Sequence, residues 1–273
     1  MLKKNITTKS VEVILKQKSK FSIFFHEAMQ GIGDFWFFTM RFFVQLFNFP
    51  FERKEFFRQA FQIGNRSLVL VMTTGFIMGV VLTIQSRPTL EDFGAESWLP
   101  NMVAVSIIRE IGPVITAIIC AGKIGSGIGA ELGSMRVTEQ IDAMEVSGAN
   151  PYKFLVVTRV LATTIMLPVL VFFADFVGLF GSFLGVNIEG DVSLVLFLSR
   201  AMGAVAFTDI IPATIKSVVF GFVIGIIGCY KGYNASRGTE SVGKASNEAV
   251  VAASLMVFVV DVIVVQITDL FIS

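Results

Sequence analysis

Cysteine, histidine and charged residues are scarce in this sequence of 273 residues. Cys120 and Cys229 are the only cysteines, and each lies inside an apolar run, where a thiol behaves as a small core residue. His26 is the single histidine. The sequence therefore predicts no disulfide, no metal site and no cofactor. Charged residues make up 16% of the chain, against about 25% in a soluble domain. The net charge of +1 gives no case for nucleic acid as a partner.

Apolar residues are abundant instead: 54% of the chain is hydrophobic, 28 residues are Phe, and the mean hydropathy is +0.74. A helix needs about 20 apolar residues to cross the hydrocarbon core of a bilayer. The sequence predicts an all-α integral membrane protein with about five such helices, at Ser67–Ile84, Met102–Ala121, Phe154–Val186, Ile210–Tyr230 and Ala249–Thr268.

The stretch at 191–207 is apolar but shorter than a full span, and Arg200 interrupts it. We interpret it as a helix on the outer surface or a re-entrant helix, with a sixth span as the alternative.

Lys and Arg residues indicate the orientation, because cytoplasmic loops are enriched in them. Half of the 22 lie before residue 67, and none follows Lys244. The connection between the first two spans carries Glu91, Asp92 and Glu96 with Arg87 as its only base, which favours the outside. We therefore expect a cytoplasmic N-terminus, five spans and a periplasmic C-terminus.

The first 66 residues differ in character from residues 67–273, and we treat them as a separate region. Fourteen of the 28 Phe fall between Phe21 and Phe61, mixed with basic residues, and Phe35, Phe38 and Phe42 share one helical face. This pattern is typical of an amphipathic helix lying in the cytoplasmic membrane interface. The alternative is a further span through residues 35–49.

Two glycine motifs superficially suggest nucleotide binding. GTESVGKA, at 238–245, lacks the final Ser or Thr of a phosphate loop, and GSGIGA, at 125–130, follows a membrane helix where a dinucleotide site needs a strand. No ATPase, dehydrogenase or catalytic group is predicted. Glycines four residues apart, such as Gly75/Gly79, Gly181/Gly185 and Gly221/Gly225, favour close helix packing.

A charged insert, ELGSMRVTEQIDAMEVSGANP, separates the second and third spans on the predicted cytoplasmic side. Residues 138–147 form an amphipathic pattern, with an apolar face, a neighbouring ladder of carboxylates and Thr138 as the expected N-cap. The pattern suits either a solvated loop helix or an element that docks into a partner.

Five ionisable residues lie at membrane depth: Arg109, Glu110, Asp175, Lys216 and Asp261. Each costs roughly 2.5–3.5 kcal/mol near the centre of a span, so each should face the bundle interior, pair, or line a wet cavity. Arg109 and Glu110 project about 100° apart on a helix and should not face one direction.

Residues 109–162, beginning REIGPVITAIICAGKIGSGIGAELGSM, resemble the MlaE-type permeases that serve MCE-associated lipid ABC transporters. IKSVVFGFVIGIIGCYKGY and the stretch at 242–271 extend the resemblance over residues ~60–271. It implies a homodimeric permease that moves phospholipid-like lipids between a bacterial inner membrane and a periplasmic MCE protein. A separate ATPase would drive it, and a small STAS-domain subunit is a further partner to consider.

The resemblance also implies roles for two sets of residues. Residues 138–147 would be the coupling helix that seats in the ATPase, through Glu139, Ile141, Asp142, Met144 and Glu145. Glu110, Lys216 and Asp261 would border a lipid cavity and handle the head group, with Leu70, Thr74, Met78 and Leu82 as its apolar wall. A structural ion-pair network remains the alternative for the charges.

A secondary transporter or channel acting alone is the alternative function, and it predicts an inverted repeat with paired broken helices. No such repeat is evident. A membrane-embedded lipid enzyme is a third class, and the sequence offers no catalytic constellation for it.

Overall fold

The computed structural model describes residues 29–48, 51–188 and 190–272. The chain divides into two compact units, Met1–Asn48 and Phe49–Ser273. In the first unit, helix α1 spans residues 29–46 and carries exposed Trp36 and Phe37 side chains. Residues 1–28 of the predicted interfacial region lie outside the described residues. The position of α1 in the membrane interface stays a prediction.

Within the described ranges, five helices of the second unit are long and apolar enough to cross a membrane. Each contains one predicted span, so the prediction of five spans is confirmed. The helices are α2 (Arg53–Asp92), α3 (Glu96–Val137), α5 (Tyr152–Val186), α7 (Phe207–Tyr233) and α8 (Glu240–Ile272). Lipid offers no hydrogen-bond partners to the backbone, and a helix forms these hydrogen bonds within its own segment.

Helix α2 begins at Arg53, well before the first predicted span at Ser67. The region boundary predicted at residue 66 therefore falls inside a continuous helix, whereas the two compact units divide at residue 48. The amphipathic stretch with exposed Phe57 and Phe61 is the first part of α2.

Two short helices fill the longer connections: α4 (Gln140–Val146) between α3 and α5, and α6 (Leu194–Ala204) between α5 and α7. Because the chain crosses five times, α4 and the α7–α8 connection share one end of the bundle, where Arg237 lies 3.9 Å from Glu139. At the other end Arg200, on α6, donates a hydrogen bond of 3.1 Å to the Ser97 carbonyl. We call these the α4 end and the α6 end.

Helix α6 decides the ambiguity at 191–207. It has 11 residues, and at 1.5 Å per residue it reaches about half the thickness of the hydrocarbon core. Ser193 caps its N-terminus, because its hydroxyl oxygen accepts a hydrogen bond from the Leu196 amide. Phe197 and Ala201 are buried against Val103 of α3 and the side chains around it. The segment packs on the bundle and is too short to be a sixth span.

The glycines predicted to mediate close packing do so where α2 meets α5. A Cβ on Gly79 would lie 1.9 Å from the Gly178 carbonyl oxygen, and one on Gly181 would lie 2.3 Å from that of Phe76. The two backbones therefore touch directly. Without a hydrophobic driving force between helices in lipid, this van der Waals contact is a main source of their association.

A methyl group at Gly79 tests this contact. Gly79→Ala should lower the thermal stability of the detergent-solubilised protein, because α2 and α5 must separate, although alanine favours a helix over glycine by about 1 kcal/mol. Gly122→Ala is the matched control, since no described atom beyond the neighbouring backbone of its own helix lies within 4 Å of the place that its Cβ would take. A Gly79→Ala protein as stable as the control would contradict the packing argument.

Candidate functional site

Three of the ionisable residues predicted at membrane depth meet in one cluster. The Lys216 ammonium lies 2.6 Å from Oε2 of Glu110 and 3.2 Å from Oδ1 of Asp261. Lys216 is only 2% exposed, whereas the side chains of Glu110 and Asp261 are 38% and 18% exposed. The cluster joins α3, α7 and α8, and it places one buried cation between two more accessible carboxylates. We call it the charge cluster.

The position of Glu110 follows from the sequence around it. Residues Ile107–Ile111 form one wide π-helical turn, in which the Gly112 amide bonds to the Ile107 carbonyl. Pro113 follows directly, and a proline removes an amide donor and crowds the preceding turn of a helix. Such single wide turns occur often at functional sites. Here the turn projects Arg109 and Glu110 at a point where α3 faces α7.

Arg109 and Glu110 were expected to face different directions, but both contact α7, at different levels. Glu110 bonds to Lys216, while Arg109 lies 3.9 Å from Asp209, seven residues earlier in α7. Asp175 is not part of the charge cluster. It is buried in α5, 8% exposed, and its Oδ1 lies where a Cβ on Gly112 would stand.

The predicted apolar wall is divided in the structure. Thr74 and Met78 line a narrow cleft between α2 and α3, together with Val71, Ile111, Ile115 and Ile119. Leu70 does not line this cleft and is 46% exposed on α2. Leu82 packs towards the α6 end, against the group of side chains around Leu99 and Val103. Thr74 and Met78 are therefore the two wall residues that share a cavity.

The structure confirms the short helix predicted in the insert, α4, but its N-cap is a different residue from the predicted one. Thr138 was predicted as the N-cap, and this is wrong: Thr138 ends α3, and its hydroxyl bonds back to the Ser134 carbonyl. The N-cap is Glu139, in the left-handed conformation at φ 58°, which is uncommon for a residue other than glycine. This residue makes the tight reversal between α3 and α4, and Gly148, at φ 79°, follows the other end.

The side chains of α4 divide between the permease and its surface. Ile141 is fully buried and holds α4 to the bundle, so its predicted contact with an ATPase does not fit its position. Asp142 forms an ion pair with Arg136 of α3. Met144 is half-buried, Glu139 and Glu145 are exposed, and Val146 is 90% exposed. Sequence reasoning missed Val146, although an apolar residue beside the carboxylates and near the helix end was a signal for it.

Two further arginines, whose ion pairs were missed in the sequence, fix the ends of the bundle. At the α6 end, Arg87 bonds to Glu91 at 2.6 Å, Glu96 at 2.7 Å and the Val186 carbonyl at 3.2 Å. At the α4 end, Arg159 is 1% exposed and lies 2.8 Å from Glu131. Each arginine stood in the sequence as a loop or flanking charge. Glu91 lies four residues from Arg87 on one helix, but the Val186 contact of Arg87 and the Glu131 partner of Arg159 were identifiable only from the fold.

Comparison with known proteins gives consistent matches. The family model described as Permease MlaE matches residues 56–267. A probable ABC transporter permease protein of Rickettsia felis is 36% identical over 242 residues, covering 89% of this chain and 92% of its own. The intermembrane phospholipid transport system permease protein MlaE of Haemophilus influenzae is 35% identical, covering 80% and 85%. The chloroplastic protein trigalactosyldiacylglycerol 1 of Arabidopsis thaliana is 34% identical, covering 75% and 58%.

The charge cluster makes a prediction about stability. Lys216→Met should destabilise the protein by about 3–5 kcal/mol, because two neighbouring carboxylates lose the buried cation between them. The triple variant Glu110→Gln, Lys216→Met, Asp261→Asn should regain most of that loss, since no unpaired charge remains. Thermal unfolding in detergent measures both. A triple variant as unstable as the single one would show that the side chains matter for their shape and not for their charge balance.

Proposed function

Because this chain belongs to the MlaE permease family, we propose that it is the membrane subunit of an ABC transporter for phospholipid-like lipids. Two copies would form the permease, and a separate ATPase on the cytoplasmic side would drive it. The lipid would pass between a bacterial inner membrane and a periplasmic MCE-domain protein. A small STAS-domain subunit is a further proposed partner.

The observation that carries the ATPase part is the surface of α4. This short helix is anchored by buried Ile141 and leaves Met144, Glu145 and Val146 accessible at the α4 end. A rigidly held helix with an apolar contact and an acidic rim suits insertion into a groove of a partner. In this proposal the anchor transmits movement between the partner and the spans, and the exposed residues make the contact.

The charge cluster and the α2–α3 cleft support a lipid as substrate. A lipid has a polar head and apolar chains, and the bundle offers both a cluster of ion-paired side chains and an apolar wall at membrane depth. The cleft in one chain has room for little more than one water molecule, at ≈ 20 Å³. We therefore infer that two copies complete the lipid cavity between them.

The α6 end is the proposed site of the MCE protein. Lys and Arg patterning favours a position outside the cytoplasm for this end, and Phe93 and Trp98 are 82% and 66% exposed there. Exposed aromatic residues next to α6 offer apolar area for a partner or for the membrane interface.

The α4 surface is tested by charging it. The double variant Met144→Asp, Val146→Asp should weaken co-purification of the ATPase and reduce lipid-stimulated ATP hydrolysis by at least about tenfold, since two carboxylates would enter an apolar contact. The control Val195→Asp, Met202→Asp makes the same changes on exposed residues of α6 and should leave ATPase binding intact. Full binding and hydrolysis by the Met144/Val146 variant would refute docking through α4.

Lipid handling by the charge cluster is tested with the neutral triple variant Glu110→Gln, Lys216→Met, Asp261→Asn. We expect the variant to assemble with the ATPase and to carry less phospholipid after purification, as counted by mass spectrometry. If the assembled variant carries as much lipid as the unmodified protein, the cluster only pins helices together.

A further inference from the structure

A second cavity, separate from the charge cluster, lies between α2 and α3 near the α4 end. It is open and has a volume of ≈ 420 Å³. Its polar border consists of Gln62, Arg66 and Ser67 of α2 and Lys123 and Ser126 of α3, and Ile63, Ile124 and Ile128 line it as well. Small-molecule sites commonly measure about 300–1,000 Å³. On α3, Lys123 is 13 residues from Glu110, a separation of roughly 20 Å along the helix. We call this cavity the basic pocket.

The charges of the basic pocket do not cancel. Arg66 and Lys123 are both exposed, and neither forms an ion pair with any residue that the structure describes. The one carboxylate at the rim, Glu131, is paired with buried Arg159. Two cations therefore remain available to a ligand, which favours an anion.

Ser67 is the second, independent sign of a ligand. It is 1% exposed, borders the pocket, and its Oγ has no hydrogen-bond partner among the described residues. Other hydroxyls of α2 behave differently: those of Thr73, Thr74 and Thr83 each bond to the carbonyl four residues earlier. A buried hydroxyl without a partner is unfavourable, so a free donor at the wall of a cationic pocket suits an acceptor oxygen.

The basic pocket continues into the apolar cleft. One helical turn separates Ser67 from Val71 on α2 and Lys123 from Ile119 on α3, and Val71 and Ile119 both line the cleft. The groove between α2 and α3 thus carries cations beside apolar residues near the α4 end and is apolar towards the middle of the bundle. With the cleft widened by a second copy, as proposed above, this order of surfaces matches a molecule with an anionic head and apolar chains.

The depth of the pocket fits the same ligand. Arg66 immediately precedes the first predicted span, and Lys123 lies two residues after the second. Both therefore stand near the edge of the hydrocarbon layer, where lipid phosphates lie. Basic pockets between membrane helices at this level are known to bind anionic head groups.

We propose that the basic pocket binds a phosphate group, with Arg66 and Lys123 contacting its oxygens and Ser67 donating a hydrogen bond. The apolar cleft indicates that this phosphate belongs to a phospholipid of the leaflet at the α4 end, and free phosphate is the other source of the same chemistry. The inference rests on the proposed lipid transport and adds a second lipid station, at the opposite half of the bundle from the charge cluster.

Two kinds of variant separate charge from space in the pocket. Arg66→Gln with Lys123→Gln removes both cations from exposed positions. Gly127→Leu keeps the cations and fills part of the cavity, because Gly127 lines it and no described atom beyond the neighbouring backbone of its own helix lies within 4 Å of a Cβ there. The control for charge is Arg237→Gln with Lys244→Gln, two exposed cations of the same end that do not border the pocket. The control for size is Gly122→Leu, on α3 but outside the lining.

The experiment measures binding of phosphatidylglycerol to the purified permease by native mass spectrometry, with thermal unfolding as the check on folding. We expect both pocket variants to bind at least about tenfold more weakly, because charge-assisted hydrogen bonds are lost or blocked, and both controls to bind normally. Normal binding by the Arg66/Lys123 variant, or equal weakening by the controls, would overturn the proposal.

Inorganic phosphate distinguishes the two sources. If millimolar phosphate leaves phosphatidylglycerol binding unchanged, the pocket is a lipid site. If phosphate displaces the lipid from the unmodified protein but not from the pocket variants, the site takes free anions and the lipid assignment is wrong. A failure of the proposed function would look different, since the unmodified protein itself would then bind no lipid.

Discussion

A membrane interior offers no water to a buried ammonium group, and Lys216 shows how this chain meets that constraint. Its charge is compensated from both sides, by Glu110 of α3 and Asp261 of α8. Removing Lys216 would leave two carboxylates without a cation at low dielectric, and removing either carboxylate would break one of the two ion pairs that join α7 to α3 and to α8. The ion pairs therefore hold the three helices in one arrangement. The same arrangement leaves the carboxylates more accessible than the ammonium. A cluster built for helix registration is thereby also able to meet a polar head group.

Glycine contacts hold together a second pair of helices, α2 and α5, away from the charge cluster. Where α2 touches α5 through Gly79 and Gly181, the backbones are too close for side chains, and α2 is held on α5 along its length. Helix α2 packs closely on α5 and less closely on α3. The groove between α2 and α3 contains both the apolar cleft and the basic pocket. Close packing on one face of α2 therefore leaves room on another.

The two ends of the bundle carry different tasks in the proposed transporter. At the α4 end, a left-handed Glu139 turns the chain into a helix that is anchored by Ile141 and exposes Val146. At the α6 end, Arg87 ties the start of α3 to the ends of α2 and α5, beside exposed aromatic residues. The proposed path of a lipid runs between these ends, from a phosphate site near α4 to a charge cluster nearer α6.

The sequence by itself determined the five spans, the short helix of the insert and the helical character of 191–207, because hydropathy and helix-breaking residues act over neighbouring positions. It also identified Glu110, Lys216 and Asp261, since a charge in an apolar run is conspicuous wherever it points. Only the tertiary structure decided that these three meet, that Ile141 faces inward, that Leu82 packs away from Met78, and that Ser67 lacks a partner. Those outcomes depend on the angle and depth at which helices cross, and contacts between residues 106 positions apart leave no local pattern in the chain.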